Sequence, residues 1–431
     1  MIPASGEHTL KILVLSNLYP PEARGGYEQG CREAVEALRA RGHQTTVLTS
    51  IPKRRIERQS DVRRELQLTD LWEGRALSSR SPITDQLAWT AGILVNDHNV
   101  HVLLNALEDV QPDVVYVWMT IGLGGLALIR TLKHLNVPWV WHLMDDVPLV
   151  LSMPTPRARH RSLLRSFGKR PRGTYIACSK RLVDEIQAGG IDIGDRVEII
   201  PNWVTGSTPC MRPSNNSGCL RIMFAGQIAR HKGVDLLIES AALLRDRGHQ
   251  RFVIDLYGDA VDPQFQAQIK RLRLRNHVRL KGSLPREQLL DQYSNYDVLA
   301  FPTWEREPFA FAPLEAALRG CVPIIPRVCG NAEWMIDGVH LIKTHRTAEA
   351  FAHTFEAILR KQIDLAPIRA RGAALVRRDF HLDTMIERIE HVLRSAARPW
   401  SFDDSRAAAI HKQAAQAQRR ATAMAYRAFC A

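Results

Sequence analysis

The chain of 431 residues is poor in the features that announce a chemistry outright. It has no GxGxxG fingerprint, which argues against a dinucleotide cofactor, and no P-loop, HExxH or GxSxG sequence. Its seven cysteines form no CxxC pair and no zinc-ligand rhythm. Several sit in apolar, strand-like runs where a thiol behaves as a small hydrophobe, so a reducing compartment is expected. No apolar run approaches the roughly 20 residues that cross a bilayer. The apolar core of the N-terminus, within MIPASGEHTLKILVLSNLYPP, spans about five residues, too short for a secretory signal. A cytoplasmic protein that does not span a membrane is the expectation.

What is present is positive charge. A formal net charge of +13 favours nucleotide phosphates, nucleic acid or an acidic membrane surface as partners. The basic clusters, Lys53 to Arg64 and Arg157 to Arg172, carry little aromatic interleaving and no reader motif, so nucleic acid is disfavoured. The second cluster, with Leu163, Leu164 and Phe167 among arginines, suits either a membrane surface or a solvated helix face.

Buried-strand runs alternate with helical patterns along most of the chain: KILVLS from Lys11, Thr45–Leu48, DVVYVW from Asp113, PWVWH from Pro138, Thr174–Cys178 and Val197–Ile200. Helices are expected at Val100–Val110, Gly122–Leu135 and Ser179–Gln187. Such alternation predicts a parallel sheet covered on both faces. A second alternating set begins at LRIMFA (Leu220) after a Ser/Pro/Gly/Asn-rich stretch. The organisation predicted is an N-terminal Rossmann-like domain over residues 1–203, a linker at 204–219, and a second Rossmann-like domain at 220–395. A C-terminal helical segment, 396–431, is expected to dock on a surface, with a solvated tail as the alternative.

In open parallel sheets, ligands bind beyond the carboxyl ends of the strands. Several candidates lie at such positions. Gly25 and Gly26, where a loop becomes a helix, form either an anion cradle or only a tight turn. Lys232 precedes a helix, where an ammonium and free N–H groups suit a phosphate. The turn Gly330-Asn331-Ala332-Glu333 offers backbone donors. His142, at a strand end, and Asp145 and Asp146 just after it are acid–base candidates; the aspartates could also hold a metal, cap a helix or make a turn.

The densest stretch is Phe301 to Gly338, FPTWEREPFAFAPLEAALRGCVPIIPRVCGNAEWMIDG. Glu307 and Glu315 lie eight positions apart, but Pro308 and Pro313 argue against one continuous helix. Pro313 fits the first turn of a helix that carries Glu315, which leaves Glu307 on the preceding loop.

In their order these features resemble the retaining, nucleotide-sugar-dependent glycosyltransferases of family 4, which have the GT-B fold. The resemblance runs from about Lys11 to Leu393, through LYPPEARGGYEQG, IIPNWV, FAGQIARHKGVDLLIESAALL, LYGD and the E-x7-E stretch. It implies two Rossmann-like domains facing a central cleft, and transfer of a sugar from a nucleotide-sugar donor to a saccharide or lipid-linked acceptor with retention of configuration. Glu315 then grips the donor ribose and Glu307 faces its sugar. Lys232 and Gln227 flank the diphosphate, and the main chain of Phe309, Ala310, Phe311 and Ala312 lies along the donor. Gly25 and Gly26 approach the phosphate and acceptor. His142, Asp145 and Asp146 compete for the active-site position, because the family's HD is spread into HLMDD. Gln227 stands where an arginine is common, Ala310 replaces a glycine, and Cys329 replaces the first glycine of a pair. The resemblance implies no metal and no cofactor beyond the donor, and peripheral contact with an anionic membrane is compatible with it. Rivals are an epimerase or phosphorylase of the same fold and a non-catalytic nucleotide-sugar-binding module.

Overall fold

The computed structural model describes residues 9–23, 25–69, 95–152, 173–206, 218–259 and 263–430. The chain divides into two compact units, one built from Met1–Ile200 with Ile386–Ala431, the other from Pro201–Met385. All of the basic cluster at 157–172 and most of the Ser/Pro/Gly/Asn-rich linker fall outside the described residues.

Among the described residues the first unit holds seven strands: β1 (Lys11–Leu15), β2 (Gln44–Ser50), β3 (Val62–Leu66), β4 (Val114–Val117), β5 (Trp139–Leu143), β6 (Thr174–Ala177) and β7 (Val197–Ile199). They are all parallel, in the order β3-β2-β1-β4-β5-β6-β7. The central strands are wholly apolar or nearly so because helices cover both faces. Helix α1 (Gly26–Ala40) follows β1, α2 (Asp97–Val110) precedes β4, and α3 (Gly125–His134) follows it. The last starts three residues later than its apolar pattern suggests. Gly122 and Gly124 take positive φ (87° and 71°), and Gly124 is the residue before the helix. A short helix α4 (Val147–Ser152) follows β5, and α5 (Lys180–Ala188), N-capped by Ser179, joins β6 to β7.

The second unit repeats the plan with six strands: β8 (Leu220–Ala225), β9 (Phe252–Tyr257), β10 (Val278–Gly282), β11 (Val298–Ala300), β12 (Val322–Pro326) and β13 (Ile342–Thr344). Their order is β10-β9-β8-β11-β12-β13, again all parallel. The helices are α6 (Val234–Asp246), α7 (Pro263–Arg271), α8 (Arg286–Gln292), α9 (Phe311–Leu318), α10 (Ala348–Leu359) and α11 (Leu365–Asp379). Strand order reverses at β1/β4 in one sheet and at β8/β11 in the other, the positions where such sheets open a crevice.

Helix α12 (Leu382–Ala396) carries the chain back to the first unit from Ile386 onward. It is held there by a buried carboxylate. Glu390, 4% exposed, accepts from Arg41 and from Arg394 (2.7 Å), and His43 Nε2 stands 3.1 Å away. His43 is itself oriented by the Leu10 N–H donating to its Nδ1 at 3.1 Å. The C-terminal helix α13 (Asp404–Cys430) then packs on α2 and α3, with His411 stacked on His101. No described helix is long and apolar enough to cross a membrane. Cys31, Cys178, Cys219, Cys321 and Cys329 are not joined in disulfides.

Burial alone would raise the Glu390 carboxyl, but the hydrogen bonds from Arg394, Arg41 and His43 outweigh it and hold the group below its ordinary range. A depressed carboxylate stabilises the fold above its unfolded value and loses that contribution as the pH falls through its folded value. Glu390→Gln is therefore expected to cost about 2–3 kcal/mol at pH 7, below the 3–5 of a fully buried pair because the arginines are partly solvated. The deficit should shrink at pH 4 and below, as measured by urea denaturation.

Candidate functional site

Beyond β8 and β11, the two strands at the reversal of the second sheet, the chain places a cation and an anion against each other. The loop after β8 ends in a single 3-10 turn, Arg230–Lys232, closed by Gly233 at φ 75°. A side chain at Gly233 would put its Cβ 2.3 Å from the Pro302 carbonyl oxygen, so only glycine lets the two loops meet. Lys232 Nζ then reaches Glu307 Oε2 at 2.7 Å, and the Thr303 hydroxyl donates to the same oxygen at 2.7 Å. Glu307 is 9% exposed. Gln227, on the same loop as Lys232, is exposed.

Glu315 lies on α9, with Pro313 as the third residue of that helix, where a missing N–H costs nothing. Its carboxylate is 5% exposed. Tyr293 donates to Oε2 at 3.1 Å, and Arg286 Nη1 forms an ion pair with Oε1 at 2.9 Å. Burial, with Glu315 adding to it, pushes the Tyr293 phenol well above its ordinary range, so the hydroxyl stays a donor.

Between the two glutamates the backbone is fixed by one side chain. Asn331, fully buried, accepts from the Ala310 N–H at 2.8 Å and donates to the Ala310 carbonyl at 2.9 Å. The Cys329 thiol donates to the same Asn331 oxygen at 3.3 Å, which gives the cysteine in place of glycine a defined role. Gly330 packs so tightly that a Cβ would lie 1.5 Å from the Pro308 carbonyl oxygen, and its N–H donates to the Glu307 carbonyl at 3.0 Å. Asn202 donates to the Phe309 carbonyl at 2.8 Å, and Trp203 meets Phe311 edge-on at 6.2 Å. Helix α9 has no side-chain N-cap, so its first N–H groups, at Phe311 and Ala312, receive no capping side chain.

Within the main chain from Phe309 to Ala312, the Ala310 amide is taken by Asn331. The Gly330–Glu333 turn is not a free set of donors: Gly330 bonds Glu307 and Ala332 bonds Cys329. Arg286, Tyr293, Thr303 and the Asn331 side chain were absent from the sequence-based assignment. None stands within a motif that names its partner.

In the first unit, Gly25 has extended backbone and donates its N–H to Glu28 at 3.0 Å, while Gly26 opens α1. A Cβ at Gly25 would meet nothing within 4 Å. His142 is fully buried on β5; its Nδ1 is 2.7 Å from the Tyr116 hydroxyl, and its ring lies 4.4 Å from that of Trp118. Tyr27, from α1, donates to the His142 carbonyl at 2.8 Å. Asp146 is 6% exposed and donates its N–H to Asp145 Oδ1 at 2.9 Å; Asp145 is half-buried. Of the three competitors, Asp145 is the side chain that reaches solvent most. Among the described residues no three His, Cys, Asp or Glu side chains converge as metal ligands.

Comparisons with known proteins agree with this architecture. Residues 25–203 match the model of the glycosyl transferase 4-like domain, and residues 213–373 that of glycosyl transferases group 1. Glycogen synthase of Mycobacterium tuberculosis is 24% identical over 356 residues, covering 76% of this chain and 81% of the relative. D-inositol 3-phosphate glycosyltransferase of Arthrobacter sp. is 26% identical over 61% of this chain and 66% of its own. Among solved structures, sucrose-phosphate synthase from Thermosynechococcus elongatus superposes with a TM-score of 0.69 at 17% identity, covering 90% and 98% of the two chains. HepE of Anabaena in complex with UDP gives 0.64 at 18% identity, over 90% and 100%.

Two tests follow. Burial lowers the His142 imidazole to about 3, so in the folded state it is neutral at ordinary pH. Its NMR resonances should not titrate between pH 8 and 5, and stability should decline as pH falls below about 6.5, where an unfolded histidine gains a proton. Asn331→Ala leaves both Ala310 backbone groups buried without partners. It should cost about 2–4 kcal/mol in chemical denaturation.

Proposed function

A chain whose two halves match these models is a glycosyltransferase of the GT-B fold, and from that premise we propose that it transfers a sugar from a nucleotide-sugar donor to an acceptor with retention of configuration. The observation that carries this is the Lys232–Glu307 pair, standing at the sheet's point of reversal beside the uncapped start of α9. The free protein holds a positive and a negative group in contact there. A donor offers each a better partner.

The diphosphate takes Lys232 and the Phe311 and Ala312 amides, and Glu307 turns its freed oxygen to sugar hydroxyls. Glu315, steadied by Tyr293 and Arg286, accepts from the ribose. As the bond from the anomeric carbon to the phosphate oxygen breaks, negative charge grows on the departing nucleoside diphosphate, and Lys232 with the helix amides stabilises it. The acceptor hydroxyl attacks from the face the diphosphate leaves. Its proton passes to the departing phosphate oxygen, and the carbon keeps its configuration. In this reading no metal or other cofactor takes part, and Glu307 is a hydrogen-bond acceptor rather than a nucleophile. Within the first unit, Asp145 is the acid–base candidate, with buried His142 bracing the strand end behind it. Gly25 and Gly26 give the acceptor and phosphate an unobstructed approach.

The solved structures of HepE with UDP-glucose, and with UDP and glucose, support a nucleotide-sugar donor. The acceptor is proposed to be a saccharide, free or lipid-linked at an anionic membrane. Ile51, 55% exposed, sits beside the exposed Lys53, Arg54 and Arg55, whereas Arg63 and Arg64 are spent on Glu65, Asp109 and the carbonyls of Tyr19 and Pro20. An epimerase of the same fold would release free sugar without an acceptor, and product analysis separates the two.

Lys232→Ala and Glu315→Ala are each expected to weaken nucleotide-diphosphate binding at least tenfold, about 1.4 kcal/mol, by calorimetry. Unchanged affinity in both would sink the assignment. The anomeric coupling constant of the product, read by NMR, tests retention.

A further inference from the structure

Arg346 lies between β13 and α10, directly before the Thr347 cap of that helix. Its Nε donates to the Thr303 carbonyl at 2.7 Å and its Nη2 to the His231 carbonyl at 3.3 Å. One guanidinium thus ties together the loops beyond β8 and β11. Those are the loops that deliver Lys232 and Glu307, and Thr303 also donates its hydroxyl to Glu307.

Both partners of Arg346 are neutral. Several other arginines have a carboxylate: Arg39 has Asp61, Arg247 has Glu349 and Glu356, Arg327 has Asp337, and Arg388 has Glu198. Among the described residues Arg346 has none. It is half-buried, so its charge is only partly solvated. Of the carboxylates on these loops, Glu307 is already matched by Lys232, and Glu305 is exposed. The neighbouring His231 imidazole feels this surplus: burial first, then Lys232 and Arg346, lower it, against the opposing pull of Glu307. Gln227, on the β8 loop, adds no charge.

We propose that Arg346 is the second cation of the nucleotide-diphosphate site, fixing the two loops through their carbonyls and contributing the unmatched positive charge that the diphosphate neutralises. The inference rests on the donor assignment made for Lys232. It predicts that affinity for a diphosphate depends on the charge at position 346, and that affinity for the base and ribose does not.

The probes are whichever of UDP, GDP and ADP most raises the melting temperature of the full chain, and its parent nucleoside, both measured by calorimetry. Arg346→Gln keeps amide donors for the carbonyls and removes the charge; Arg346→Lys keeps the charge and removes the fork. The expected result is about a tenfold loss of diphosphate affinity in Arg346→Gln, with the nucleoside changed less than about twofold and Arg346→Lys nearer to the parent protein. Gln227→Arg added to Arg346→Gln should restore most of the loss, which a purely structural staple would not allow. Equal weakening of diphosphate and nucleoside, or unchanged diphosphate affinity in Arg346→Gln while Lys232→Ala is impaired, would overturn the Arg346 assignment alone. Unchanged affinity in Lys232→Ala would remove the diphosphate site on which it rests.

Discussion

A parallel strand cannot be followed by its neighbour through a tight turn; the chain must cross the whole sheet and start again from the same edge. Everything functional in this protein depends on that constraint. Because all six strands of the second sheet run one way, the loops after β8 and β11 emerge side by side, although Lys232 and Glu307 are 75 residues apart in sequence. The same rule brings Gly25 and Asp145 to the carboxyl edge of the first sheet, after β1 and β5. No long-range code is needed to assemble such a site. Strand direction does it.

The charges at that edge are not left waiting in water. Glu307 is shared between Lys232 and Thr303, and Glu315 between Arg286 and Tyr293. Each set of contacts orients a nearly buried carboxylate, and the cations in both are partly solvated. The backbone between them is treated differently. Asn331 closes two hydrogen bonds on Ala310 in a fully buried position, so that segment is rigid.

The sequence disclosed strand–helix alternation well because buried parallel strands are continuous apolar runs and their helices have distinct stripes. Pro313 placed the start of α9, and with it Glu315, within a residue or two. What pattern could not disclose was pairing across the fold. Nothing within NAEW links Asn331 to Ala310, and nothing near Arg286 points to Glu315, because a hydrogen bond between distant elements leaves no periodicity. His142 shows the opposite difficulty. A histidine ending the run PWVWH reads as a polar group arriving at a site. In a sheet covered on both faces, though, His142 is still within β5, one residue short of its end, and Tyr116 and Trp118 enclose it. Exposure separates it from Asp145, three residues on, and exposure is a property of the packed chain.

The return of α12 has a consequence for how the protein is made. Glu390 lies 349 residues beyond Arg41, so the carboxylate that neutralises Arg41 is made only after the whole second unit. Until then the first sheet can form its strands but lacks the helix that closes over His43 and Arg41. The second sheet, uninterrupted from Pro201 to Met385, has all its parts before the first has its last one. Synthesis order and completion order are therefore reversed, and a chain cut before Glu390 would leave Arg41 and His43 without the carboxylate they share.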